Sequence, residues 1–191
     1  MALSISILAA STGYPQDIGV SPLAPPLDPP AKGAKLCPMS EITVTQSNPL
    51  EPEALALLKA SHALMQSLFP PEDNFYLEPE ALTAPDVVFF TARKDGKTLG
   101  TGALATREGY GEVKSMFTHE DARGLGVGGR ILAAIELEAR AQGLPMLKLE
   151  TGNTLYAAHR LYEAAGFTRC AAFGDYPDAA SSIFMEKRLT D

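Results

Sequence analysis

Residues 123–130 read Arg-Gly-Leu-Gly-Val-Gly-Gly-Arg, with glycine at 124, 126, 128 and 129. They fall where an apolar strand pattern (residues 112–118, EVKSMFT) gives way to a helix pattern, across a polar linker, His119-Glu120-Asp121-Ala122. A helix start carries unpaired N–H groups and about half a positive charge, so it holds anions. Glycines there let a phosphate approach the backbone closely. The chemistry on offer is the binding of a phosphate-bearing ligand.

Two ligands compete for such a turn. Gly124-x-Gly126-x-x-Gly129 satisfies the dinucleotide fingerprint, and Glu150 lies at a later strand end. In dinucleotide folds, however, the glycines follow the strand directly and further strand-helix-strand units come after. Here the polar linker intervenes and too little chain remains. No Gly-Lys-Ser/Thr follows, so a nucleoside-triphosphate loop fails as well. The alternative is the Arg/Gln-x-x-Gly-x-Gly pattern that binds the pyrophosphate of coenzyme A, carried here by Arg123 to Gly128.

With VKSMFT before that turn and LYEAAGF (residues 161–167) after it, residues 39–191 resemble the GNAT superfamily of N-acetyltransferases. GEVKSM, LETG, LYEAAGF and the tail from FGDYPD to SIFMEKRL resemble a bacterial subgroup of small members with unsettled acceptors. The resemblance implies an acetyl-CoA-dependent N-acetyltransferase of the GNAT fold. That fold is mixed α/β, a mostly antiparallel sheet of six to seven strands with helices on both faces. Acetyl-CoA would enter a slot where the key strand parts from its parallel neighbour, against the backbone of Met116, Phe117 and Thr118. An N–H near Phe117 would hold the acetyl carbonyl oxygen, where negative charge grows. The pyrophosphate would sit on Gly124, Leu125, Gly126, Val127, Gly128, Gly129 and Arg130, with Arg123 or Arg130 nearby.

An alkyl amine with a pKa near ~10 is only about one part in a thousand unprotonated at pH 7, so a base must take its proton. By the resemblance that base is Glu112. The alternative for Glu112 is an ion pair with Lys114, its same-face neighbour along the strand. Tyr162 matches the tyrosine that protonates the departing thiolate. No activated nucleophile is evident, and Cys170 reads as packed, so direct transfer in a ternary complex is expected. Many relatives carry a cofactor-contacting Asn six residues before the Leu-Tyr pair. Here that position is Leu155, with Asn153 as the candidate substitute.

Residues 69–82 and 173–182 would recognise the acceptor, with Arg93, Arg107 and Lys114 offering positive charge. The expectation is a small amine, possibly bearing a carboxylate. The alternatives are a non-catalytic acyl-CoA-binding module, a protein or peptide N-acetyltransferase, and a nicotinamide-dinucleotide protein. A cytoplasmic location and a homodimer are further expectations from the resemblance.

The elements that must position these residues follow from periodicity and turn residues. Strands are expected at 41–46, 86–93, 98–106, 112–118, 146–150, 167–172 and 182–188. Helices are expected at 52–68, with Leu55, Leu58, Met65 and Leu68 facing inward, and from the glycine turn to 141. The latter would bury Ile131, Leu132, Ala134, Ile135, Leu137 and Ala139. A further helix covers 155–165, and a short helical turn 78–82. Lys94-Asp95-Gly96-Lys97 is a hairpin turn.

The 191 residues are 46% hydrophobic and 20% charged, enough for one domain with its own core. A net charge of −7 disfavours nucleic acid or an anionic membrane as partner. Two cysteines and three scattered histidines offer no disulfide framework and no metal spacing. Residues 1–38 are dense in proline and read as an extended, dispensable tail preceding Met39.

Overall fold

Hairpin chemistry sets the first half of the sheet. Asp95 and Gly96 take φ of 53° and 77°, the paired positive values that a two-residue hairpin needs. Val87–Lys94 (β2) therefore returns directly as Lys97–Arg107 (β3). Gly109, at φ 81°, turns β3 into Tyr110–Thr118 (β4). Thr43–Gln46 (β1) lines the outer edge of β2. In the second half, Met146–Gly152 (β5) pairs with Ser182–Arg188 (β7), and Thr168–Arg169 (β6) closes that edge. The computed structural model describes residues 41–189, so the proline-rich segment expected to be a tail lies outside the described residues.

The strand order is β1-β2-β3-β4-β5-β7-β6. Every pair is antiparallel except β4–β5, which is parallel. The parallel pair demands a crossover, and Val127–Ala141 (α2) provides it. Pro52–Leu68 (α1) starts on a proline, whose missing N–H costs nothing at that position. Tyr156–Ala164 (α3) follows β5.

Adjacent residues of β3 show that the helices cover opposite faces. A side chain on Gly102 would meet Ile131 and Ile135 of α2. Its neighbour Ala103 packs with Ala54 and Leu58 of α1, beside Phe89 and Leu82. The main core lies on the α2 side, where Leu104, Val113, Leu147 and Leu149 meet Ile131, Leu132 and Ile135. Tyr162 of α3 and Phe167 complete it.

Four local expectations change. The turn expected at 78–82 is a 3-10 turn at Ala81–Thr83, and a second one forms at Pro71–Asp73. Prolines 70, 71, 79 and 85 keep this stretch from a full helix. The strand expected at 167–172 shrinks to Thr168–Arg169, because the chain then leaves β7 to bring Phe173 inward. Leu68 is 46% exposed and Leu137 71% exposed. Leu137 stands two residues from Ile135, so the two cannot share a helix face. The buried stripe of α1 runs through Ala54, Leu57 and Leu58 instead.

Candidate active site

The parallel pair is short. Only Gly111–Leu147 and Glu112–Lys148 are in register, although β4 runs on to Thr118 and β5 to Gly152. Beyond Glu112 the two strands part, while β4 stays paired to β3 as far as Thr118. The edge of β4 that carries Met116, Phe117 and Thr118 therefore has backbone groups with no partner strand.

A bulge produces the parting. The β3–β4 register slips between Thr101 and Ala103, and Ser115 sits at φ 52°. Thr101 Oγ1 donates to the Ser115 carbonyl at 2.9 Å and holds the bulge. The extra residue shifts the alternation, so Met116 joins Val113 against the α2 core. Gly100 and Gly102 lie opposite. A Cβ on Gly102 would lie 2.5 Å from Ile131 Cγ2 and 2.7 Å from Met116 Sδ, so only glycine fits.

The glycine turn stands at the end of this edge. Gly124 and Gly126 take φ of 80° and 75°, which other L-residues adopt only under strain. Gly126 is the N-cap of α2. Leu125 N–H donates to Ala122 O and Arg130 N–H to Gly126 O. The amides of Gly126, Val127, Gly128 and Gly129 are the ones that point out of the helix start. Gly128 serves packing: a Cβ there would be 3.1 Å from Leu161 Cδ2 of α3. Arg123 is exposed and makes no ion pair among the described residues, whereas Arg130 stands 3.7 Å from Glu41. This cradle of exposed amides, glycines and an unpaired strand edge fits a diphosphate joined to an extended amide chain.

Tyr162 is buried against Phe167. Burial, and then the charge of Glu150, push its phenol well above the usual tyrosine range. Its hydroxyl makes no hydrogen bond among the described residues. Asn153 donates its side-chain N–H to the Ala180 carbonyl at 2.8 Å, tying the end of β5 to the loop before β7.

Glu112 is buried and fully engaged. Tyr176 donates to Oε1 at 2.5 Å, Lys114 Nζ lies 3.5 Å from the same oxygen, and Arg107 Nε lies 3.4 Å from Oε2. The ion pair with Lys114, the alternative noted for Glu112 from sequence, is thus present. Arg107 also binds Asp86 at 2.6 Å, and Arg93 pairs with Glu51.

Glu150 was not singled out as a reacting group from sequence. It extends from β5 just past the parting, and Ser182 Oγ donates to its Oε1 at 2.7 Å. Burial raises its carboxyl above the usual range; Ser182 and Lys114 oppose this, while Glu112 and Asp73 add to it. A signal for it exists in the sequence. In Met-Leu-Lys-Leu-Glu, Leu147 and Leu149 take the core face, so Lys148 and Glu150 share the other face with Glu112. His159 and Cys170 stay outside the chemistry: His159 Nε2 meets the Gly152 carbonyl at 2.9 Å, and burial raises the Cys170 thiol.

A mixed sheet parted between two parallel strands, with a glycine-lined helix entrance beside the gap, defines a transferase that takes its group from a coenzyme A thioester. The chain belongs to the Acetyltransferase (GNAT) family, whose model matches residues 55–167. It is an acetyl-CoA-dependent N-acetyltransferase. It is 42% identical over 155 residues to an IAA acetyltransferase of Azospirillum brasilense, covering 79% of this chain and all of that one. It is 37% identical over 128 residues to the uncharacterized Bacillus subtilis N-acetyltransferase YsnE, across 65% of this chain and 85% of the other. A Klebsiella pneumoniae structure described as an acyl-CoA N-acyltransferase superposes with a TM-score of 0.66 at 34% identity. That match covers 78% of this chain and 98% of its counterpart.

Proposed function

We propose that the chain acetylates the amine of a small molecule by direct transfer, with Glu150 as base and Tyr162 as proton donor. The observation that carries this reading is the parting of β4 from β5 after Glu112, which exposes a strand edge between the α2 entrance and a buried carboxyl. Acetyl-CoA supplies a thioester-activated acetyl group there. Met116, Phe117 and Thr118 offer the backbone edge that aligns its extended arm. Gly126 to Gly129 offer amides for its diphosphate, Gly124 and Leu125 shape the turn, and Arg123 or Arg130 adds charge. Asn153 can still lend its carbonyl oxygen, since only its N–H is engaged.

Besides burial, Asp73 and Glu112 act on Glu150 to raise its carboxyl, and Lys114 opposes them. Glu150 has its second carboxylate oxygen without a hydrogen-bond partner among the described residues, open to accept the proton. Glu112, the base suggested by the resemblance, has both oxygens engaged, which supports Glu150 in that role. Tyr162 has its hydroxyl unengaged among the described residues, so its O–H is available to hydrogen-bond the departing sulfur. A carboxylate on the acceptor would have to displace the present partners of Arg107, Lys114 and Arg93, so the proposal stops at the amine.

The test incubates the protein with acetyl-CoA and a panel of small amines, free-amine peptides and no acceptor, following thiol release. Release with at least one small amine supports the reading. Release with peptides alone, or stabilisation by acetyl-CoA without release from any acceptor, overturns it.

A further inference from the structure

Lys114 has no part in the proton transfers above, yet its side chain is only 10% exposed. A lysine ammonium is costly to bury without partners, and this one has a full set. Nζ donates to the Phe75 carbonyl at 2.9 Å and to Tyr176 Oη at 2.5 Å, and stands 3.5 Å from Glu112 Oε1. Tyr176 in turn donates its own hydrogen bond to Glu112 Oε1. Phe75 lies in the loop that leaves α1, and Tyr176 in the loop between β6 and β7. One ammonium on β4 therefore joins the two loops that flank the acceptor side.

The second loop depends on this contact. Asp175, Pro177 and Asp178 are exposed, while Tyr176 between them turns inward. Its ring meets Phe75 and Phe173 edge-on, at 5.4 Å between centroids in each case. Two donors of the ammonium are hydrogen-bonded and its charge is paired with Glu112, and the phenol's single donor is used. Phe75 and Tyr176 are half-buried, so their rings offer apolar surface beside these engaged charges.

We propose that Lys114, Tyr176 and Glu112 form a clasp that holds the two acceptor-side loops together, and that it selects amines carrying a flat apolar body. Lys114 and Tyr176 are then positioning residues for the acceptor, and Glu112 serves the clasp. The proposal rests on the reading that the acceptor approaches from this side.

The test compares wild type with Lys114→Met and Tyr176→Phe, using 2-phenylethylamine, n-butylamine and spermidine as acceptors. Wild type is expected to favour 2-phenylethylamine. Both variants are expected to raise its KM by about tenfold, the size of one lost charge-assisted hydrogen bond. The KM for acetyl-CoA should stay within about twofold of wild type and kcat within about threefold. A merely structural role would move both KM values together. A second readout needs no turnover: chymotryptic cleavage after Phe75 or Phe173, one in each loop, should accelerate about tenfold in Lys114→Met. Tyr176→Phe keeps the ring and decides the matter should Lys114→Met fail to fold. Unchanged acceptor KM with unchanged cleavage overturns the clasp, and so does a wild-type preference for spermidine. Failure of every amine with accelerated cleavage would remove the small-amine reading while leaving the clasp standing.

Discussion

Glu150 is where function and stability oppose each other. Its carboxyl is raised in the fold, chiefly by burial, so between its unfolded and folded pKa values the native state binds more protons than the unfolded chain. Stability from this group is thus complete below the unfolded value of ~4.3 and falls as pH rises through the folded one. Glu150→Gln keeps an acceptor for Ser182 and removes the buried charge. It should raise Tm by about 2–4 °C at pH 7.5, about what ~1 kcal/mol gives in a domain of this size. That gain should vanish below pH ~4, which melting curves across pH will show. The same variant should lose about 10²–10⁴ in kcat, the span of general-base catalysis. Tyr162→Phe should lower kcat by roughly tenfold or more while leaving the KM for acetyl-CoA unchanged, as thiol release will report. At this scale the sequence was legible where a residue sits inside a motif. Tyr162 is found through the Leu-Tyr-x-x-x-Gly-Phe pattern. Glu150 lies in Leu-Glu-Thr-Gly, which carries part of the resemblance but implies no role for it, and its environment is made by Ser182, Asp73 and Lys114, which are distant in the chain. Nor do residue types reveal that Glu112 is engaged on both oxygens, since Tyr176 lies 64 positions away.

Among the elements, the cofactor end is built by backbone conformation more than by side chains. The amides of Gly126 to Gly129 can be presented only if the chain enters α2 through two left-handed residues, Gly124 and Gly126. Nothing lies within 4 Å of where a Cβ on Gly126 would be, so an alanine there meets no clash and suffers from its φ alone. Gly126→Ala should cost about 1–2 kcal/mol and raise the KM for acetyl-CoA by about tenfold. Thermal melts and saturation kinetics will measure the two effects, and the KM for the acceptor should barely move. Elements with strong local cues were legible: α1 from Pro52, α2 from its glycine entrance, and the hairpin from Asp95-Gly96. The bulge at Ser115 was not, because nothing in Val-Lys-Ser-Met-Phe marks the slip. It arises from packing, with Gly100 and Gly102 admitting α2 closely and Thr101 holding the Ser115 carbonyl. The short β6 and the exposed Leu137 are likewise results of tertiary arrangement overriding local pattern.

For the molecule as a whole, the proposed site is assembled by one sheet together with the helices and loops packed on it. β1 to β7, both hydrophobic clusters and each proposed site residue fall between Ile42 and Leu189. The Azospirillum relative is matched over its entire length by 79% of this chain, and the family model begins only at residue 55. The solved Klebsiella chain, covered to 98% of its length by 78% of this one, shows the fold in a chain of smaller size. The sheet's outer strand, β1, starts at Thr43, and its pairing with β2 runs from Thr43–Arg93 to Gln46–Phe90. A protein beginning at Met39 keeps that entire ladder. It should melt within about 2 °C of the full chain, a difference below ~1 kcal/mol, and should retain its KM for acetyl-CoA within about twofold. Calorimetry and thiol-release kinetics on the two proteins will check this. A larger loss in either would mean that residues 1–38 hold part of the fold or the site in place, and the domain would have to be redrawn from Met1. A protein beginning at Gln46 is the matching control. It removes most of the β1 strand, exposes the edge of β2 and uncovers Ile42 and Val44 from the core they pack against, so it should unfold at markedly lower temperature.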